Sequence, residues 1–275
     1  MLRTKKLICA ILAIIFLGLV AAFALIGQLP ATAQTLAICT AAAPSTSASA
    51  TLTDEEKRFV DAYLRAICDA YNPEPSEVSD KLWAIATNNP KLILQEPDKT
   101  KFRAVTWISK PNFFGQEVGN VELPVDVWIT AVPELQEFCG SLKLDSKALT
   151  LRLEQYLGLP ANFGKTKFVE IWVNPSDVFR PCRDQEINDY RCELAFPQNI
   201  DEQHKAWIEA LKKSSYPEQY PHKGFPWTEL GYTYDWGNPE TEIGASEFLV
   251  RKGAIVTIES IKETDEYCKP IAVFN

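Results

Sequence analysis

The chain has 275 residues, 46% of them apolar and 23% charged, with a formal net charge of −8. That is long enough for one large or two small domains around a real core, and the composition excludes wholesale disorder. The acidic balance also argues against nucleic-acid binding, whose affinity comes from neutralising phosphates with Lys and Arg.

The N-terminus reads as an export leader. Arg3, Lys5 and Lys6 precede an uncharged apolar run from Leu7 to Ile26, and Ala31-Thr32-Ala33 supplies the small-x-small pattern of a cleavage site. Residues 1–33 are therefore expected to be a signal peptide, with Gln34 first after cleavage. The alternative is an uncleaved anchor in which residues 7–26 cross the membrane, since about twenty apolar residues suffice. Either way the body of the chain is expected to be exported, periplasmic or secreted. Without the three leader cations, 25 basic residues face 36 acidic ones, a net of −11. Six cysteines remain (Cys39, Cys68, Cys139, Cys182, Cys192 and Cys268), and an even number in an oxidising compartment points to disulfides. Cys182 and Cys192 flank a short polar loop, RDQEINDYR, and are the favoured local pair. The other four leave three connectivities open. With no Cys-x-x-Cys and only two histidines, no metal site is expected.

Residues 34–52 are small, Ala/Ser/Thr-rich and non-periodic, which reads as a flexible spacer. The body opens on Thr53-Asp54-Glu55-Glu56, a capping box, followed by Phe59, Val60, Tyr63, Leu64, Ile67 and Ala70 at helical spacing. A second helix is predicted over Ser76–Thr87, with Val78, Leu82, Ile85 and Ala86 inward. Residues 102–109 and 125–132 read as strands and 134–140 as a short helix. Asp145 caps a helix closed by Gly158 and Pro160. Lys167–Val173 becomes apolar on both faces, as a central strand should. Asp201 caps a further amphipathic helix carrying His204, Trp207, Ile208 and Leu211. Helices come mainly first and strands mainly later. The expectation is an α+β protein with an N-terminal α+β part (53–160) and a mainly antiparallel, β-rich functional part (161–275).

The segment from Phe225 to Ile261 concentrates aromatics and strand-like runs. Ser246-Glu247-Phe248-Leu249-Val250, the turn Arg251-Lys252-Gly253 and Ala254–Ile258 read as a β-hairpin with Glu247 at its entrance. This order resembles the last motif of the ADP-ribosyltransferase fold, shared by NAD glycohydrolases: a catalytic glutamate, an apolar strand, a Gly-containing turn and another strand. The likeness covers about thirteen residues, and Ala245 stands where many members have a second Glu or Gln. It implies an NAD-consuming enzyme that acts on NAD or another small glycosidic substrate and needs no further cofactor. Glu247 would stabilise an oxocarbenium-like centre. Tyr232, Tyr234 or Trp236 would stack the nicotinamide, and Arg180 would bind the pyrophosphate. The longer stretches 168–194 and 226–250 resemble those of uncharacterised exported bacterial proteins, such as those of cyanobacteria, which implies no activity.

Blander readings stand beside these. Glu247 is also what a solvated strand edge carries, and tyrosines at spacing two are what one packed strand face carries. Arg180 has Asp177 and Asp184 nearby in sequence to pair with. His204 and His222 form a candidate acid–base pair, although His204 is expected at the surface. Asp184, Glu186, Asp189 and Glu193 are acidic enough for calcium but read better as a solvated, disulfide-bounded loop, because EF-hand spacing is absent. The alternative to an enzyme is a non-enzymatic cell-envelope or extracellular binding protein that uses an aromatic surface at 225–236.

Overall fold

The computed structural model describes Cys39, residues 52–110, Phe114, and residues 118–216 and 224–270. The expected signal peptide, the alternative anchor, almost all of the spacer, and His222 lie outside the described residues. The chain divides into two compact units. Of the first, Met1–Ser45 with Glu218–Tyr220, Cys39 is the described residue. The second, Thr46–Pro217 with Pro221–Asn275, contains everything else below. No helix among the described residues is long and apolar enough to cross a membrane.

Helix α1 (Asp54–Ala70) starts where its cap dictates. The Glu56 amide donates to Thr53 Oγ1 at 3.2 Å, and the Thr53 amide donates to Glu56 Oε2 at 2.8 Å. The Thr53 hydroxyl also donates to Glu56 Oε2, at 2.8 Å, and it and the Thr53 amide hold the Glu56 carboxyl below its usual range. Tyr63, Ala66, Ile67 and Ala70 recur at helical spacing and are buried, with Tyr63 meeting Trp236 edge-on. Thr53→Ala is expected to lower stability by about 1 kcal/mol, read as a small shift in the urea midpoint with unchanged slope.

The predicted helix over 76–87 does not form. Only a 3-10 turn at Pro75–Glu77 appears, and the chain then runs extended. Leu82, Trp83, Ala84 and Ile85 are all buried, a run rather than one face. Their backbone is satisfied across the chain: the Leu82 amide donates to Tyr190 O and the Ile85 amide to Ile187 O. Pairing with the disulfide loop overrides a helical pattern whose apolar stripe was only moderately distinct.

Nine strands follow among the described residues: β1 (Phe102–Ile108), β2 (Gly119–Glu122), β3 (Val127–Ala131), β4 (Lys167–Val173), β5 (Val178–Phe179), β6 (Tyr232–Tyr234), β7 (Ile243–Ser246), β8 (Phe248–Val250) and β9 (Ile255–Glu263). Seven form one sheet in the order β2-β9-β4-β1-β3-β8-β5, with every pairing antiparallel; β6 and β7 form a separate ribbon. Strands from before and after residue 160 are interleaved in this sheet, so both parts of the chain contribute to one core. The fold is α+β.

The expected hairpin at 246–258 is corrected. β8 pairs with β3 and β5, whereas β9 pairs with β4 and β2, four places away in the sheet. Other segments claim the polar groups of the link between them. The Arg251 amide donates to Asp177 O, the Gly253 amide to Leu123 O and the Lys252 amide to Asp126 Oδ1. Four strand spacings in a flat sheet are about 19 Å, more than the link covers while it also makes a turn from Arg251 O to the Ala254 amide. The sheet therefore curls. Its concave face gathers Phe102, Ala104, Ile129, Val169, Ile171, Val178, Phe248, Val250, Val256 and Ile258 into one core.

The other face of β1 and β4 carries Val105, Trp107 and Phe168. It is covered by α2 (Glu134–Gly140), α3 (Ser146–Tyr156) and the short α5 (Thr264–Tyr267). The disulfide Cys139–Cys268 joins the end of α2 to the residue after α5. A second disulfide, Cys182–Cys192, closes the loop for which the sequence favoured it, and Cys39 and Cys68 are both disulfide-bonded as well. This cysteine usage belongs to an oxidising, extracellular-type environment. Helix α4 (Glu202–Ser215) begins at Asp201, whose side chain accepts from the Gln203 amide.

Candidate functional site

Arg180 follows directly on β5 and is the largest fully buried side chain among the described residues, at 0% exposure. Its guanidinium acts on backbone that belongs to no regular element. Nε donates to Glu186 O at 3.1 Å, and Nη2 donates to Asp189 O at 2.8 Å and to Trp83 O at 3.3 Å. Its planar group lies 5.2 Å from the Phe248 ring centre. The stem packs so tightly on Gly231 that a Cβ there would stand 2.7 Å from Arg180 Cδ, and Gly231 has φ +74°. Only glycine meets both conditions at once.

Glu247 lies between β7 and β8 and is 6% exposed; its amide donates to Gly231 O at 3.0 Å. Burial pushes its carboxyl up to about 8, with Arg180 pulling the other way. A second acid, half-buried as a residue but with its carboxyl enclosed, feels the same guanidinium. Glu134, the first residue of α2, accepts from the Ser246 amide at 2.9 Å and from Ser246 Oγ at 3.0 Å. Burial raises it to about 8 too, against the Ser246 bonds, Arg180 and Lys91. Ser246 Oγ in turn accepts from the Trp83 amide. The cluster thus ties together α2, β7, the end of β5, the extended run at 82–85 and the disulfide loop.

The expected substrate-binding aromatics are employed elsewhere. Tyr232 donates to Glu77 O at 2.9 Å, Tyr234 to Asp69 Oδ2 at 2.6 Å and Trp236 Nε1 to Leu159 O at 2.8 Å. Trp227, Tyr232 and Trp236 are buried and Tyr234 half-buried, while Phe225 stays exposed; Tyr234 and Trp236 pack with α1, and Tyr232 packs with Leu82, Leu230 and the Cys182–Cys192 bridge, so most of the aromatic surface expected at 225–236 is core. A depression of about 170 Å³ is lined by Ala70, Glu77, Tyr232, Tyr234 and Glu242 among others, but by neither Glu247 nor Arg180. Drug-sized ligand sites begin at about 300 Å³.

His204 is likewise corrected from surface to core. It is buried, with Nε2 2.7 Å from Cys182 O and its ring stacked near Trp207. A carbonyl only accepts, so Nε2 carries the proton, and burial lowers the ring's affinity for a second one. The disulfide loop is less solvated than expected. Asp184 is buried, accepts from the Glu193 amide at 3.0 Å, and is raised to about 6 by burial. Carboxylate oxygens of Asp184, Glu186 and Asp189 lie within 4.8 Å of one another, but Asp189 already accepts from Arg180, which supplies the local positive charge.

Comparison with protein-family models, with curated proteins and with solved structures finds no match. The chemistry of the site therefore rests on its own geometry.

Other buried acids have partners on their carboxyl oxygens: Glu170 bonds Arg103 and Lys262, and Glu154 accepts from the Asn162 and Phe163 amides. Asp235 receives both ends of the Arg152 guanidinium, at 2.8 and 2.7 Å. Glu229, held at φ +58° where side chains are uncommon, bonds Arg183 and Lys212. The contrast isolates Glu134 and Glu247, which share one cation that is itself committed to backbone carbonyls. Sequence reasoning missed Glu134 because a glutamate opening a helix reads as a partner of the helix dipole. Nothing local signals that the curled sheet brings it beneath Ser246.

Proposed function

We propose that the chain is an exported protein that works by binding rather than catalysis. The observation that carries this reading is the closure of the Glu247–Arg180 site. A glycosidic enzyme needs its carboxylate and its anion-binding arginine to reach substrate from the wall of a pocket. Here the arginine holds backbone carbonyls together, and the described residues bury both groups. What the protein offers to solvent is different. Val125, Trp128 and Ile255, 51%, 40% and 57% exposed, lie toward the end of the sheet where residues 122–126 run beside the turn 251–254. Exposed tryptophan with aliphatic neighbours is the composition of a contact surface. The expected leader and the bonded cysteines support export into an oxidising compartment.

The NAD-consuming reading keeps one observation in its favour: a carboxyl held protonated near neutral pH, as Glu247 is, is what a general acid requires. A single assay separates the two. Purified residues 34–275 are incubated with NAD, and nicotinamide release is followed. No release above the protein-free control is expected. Release by wild type that is abolished in Glu247→Gln, with an unchanged melting curve, overturns the binding reading and reinstates Glu247 as the catalytic carboxylate.

A further inference from the structure

We propose that Glu134, Arg180 and Glu247 form a proton-linked latch: the closed fold holds a proton on this cluster, and losing it to solvent loosens the joint between the β6–β7 ribbon, the 82–85 run and the disulfide loop. The first support is geometric. Arg180 Nη1, Glu134 Oε2 and Glu247 Oε1 are all buried and all lack a hydrogen-bond partner, one atom on each of the three charged groups. Unmade bonds of this kind are expensive inside a protein, and here they fall on three groups that act on one another electrostatically.

The second support is the charge count. Arg180 faces Glu134 and Glu247 from one side and Asp184, Glu186 and Asp189 from the loop. Lys91 acts on Glu134 from a distance, and Tyr156 from α3 and Tyr216 from the end of α4 bring neutral hydroxyls. With both glutamates ionised, two enclosed carboxylates face one enclosed guanidinium, with Lys91 adding positive charge at Glu134 alone. A proton on a buried carboxyl removes the excess. The sign follows from the raised carboxyls. Both glutamates titrate near 8 in the fold against 4.5 ordinarily, so the folded chain binds more protons across that interval and loses stability as pH rises through it.

The third support is what the cluster holds. The Trp83 amide on Ser246 Oγ, Ser246 on Glu134, Trp83 O and Asp189 O on Arg180, and Glu247 N on Gly231 O make one connected set of bonds. Repulsion at the two carboxylates acts on all of them together, whereas the β1–β4 ladder is outside the set.

Amide hydrogen exchange on the disulfide-bonded protein at pH 6.5, 7.5 and 9, corrected for the intrinsic rate, tests this. Protection at Trp83, Ser246 and Glu247 is expected to fall by about tenfold or more between pH 6.5 and 9, relative to Val105 and Val169 on β1 and β4. Glu134→Gln with Glu247→Gln, which mimics the protonated cluster, is expected to remove the difference. Flat protection in wild type overturns the latch. So does an equal loss across β1 and β4, or an unchanged loss in the double variant. Should the double variant not fold, Glu247→Gln alone decides through melts at pH 5 and pH 9. A fall as large as in wild type rejects the latch, and a smaller fall sustains it.

Discussion

Replacing Arg180 by methionine is expected to cost the fold about 3–5 kcal/mol, the range for removing one partner from a buried ionic cluster. Two terms add to reach it. The carbonyls of Trp83, Glu186 and Asp189 lose their donor, and each buried acceptor left unmade costs about 1–3 kcal/mol, reduced where the backbone relaxes. Glu134 and Glu247 also lose the cation that opposes their desolvation. Methionine fills much of the stem's volume, so the loss reports on the guanidinium and not on a cavity. For a chain of this size the melting temperature is expected to drop by about 10 °C. Lysine should recover only part of it, because one ammonium cannot serve three carbonyls in the plane of a fork. Gly231→Ala reaches the same joint from the other side, through the clash with Arg180 Cδ and a φ of +74°. Urea unfolding measures all three. An Arg180→Met variant within about 1 kcal/mol of wild type would remove the structural role argued for this residue.

The second large effect belongs to the long disulfide. Cys139 and Cys268 are separated by 129 positions, Cys182 and Cys192 by 10. On the chain-entropy model, opening the first should cost about 5 kcal/mol and opening the second about 3 kcal/mol. Paired serine substitutions at 139 and 268 are therefore expected to be the more damaging, by denaturant titration under oxidising conditions. The long link also anchors α2 and α5 over the outer face of the sheet, with Leu135, Phe168 and Tyr267 beneath it. Loss of this bridge should expose that layer, with a near-ultraviolet signal change from Trp107 and Tyr267 before the inner core yields. The reverse order of damage between the two pairs would mean that loop size is not what governs stabilisation here.

What the sequence revealed, and what it hid, divides along the range of the interactions. The Thr53–Glu56 cap, the Asp145 and Asp201 caps and the strands at 102–108 and 167–173 were legible, because caps and alternation are local. The Cys182–Cys192 loop was legible for the same reason. The 76–87 segment misled because its backbone is satisfied by a loop about a hundred residues away. Ser246–Ile258 has every mark of a hairpin, and nothing near it reveals that β3 and β4 outcompete its own partner strand. Burial inverted the rest: Arg180, His204 and the aromatics of 227–236 carry polar atoms, which reads as surface or site until the matching carbonyls are in place. Glu247 was singled out by its sequence context, while Glu134, its counterpart across Arg180, had no such context to betray it.

The order of the sheet also bears on how the chain behaves at high concentration. Its outermost members among the described residues are β2, four residues that include Gly119 and Glu122, and β5, two residues long and followed by Arg180 and Pro181. A sheet grows into its neighbour's by adding strand to open strand, and these borders offer a few backbone groups, a charge and a proline where longer pairing would have to begin. The extended, strongly apolar strands β1 and β4 sit at the middle, with a partner on each side. The molecule therefore keeps its most aggregation-prone stretches out of reach as long as it stays folded.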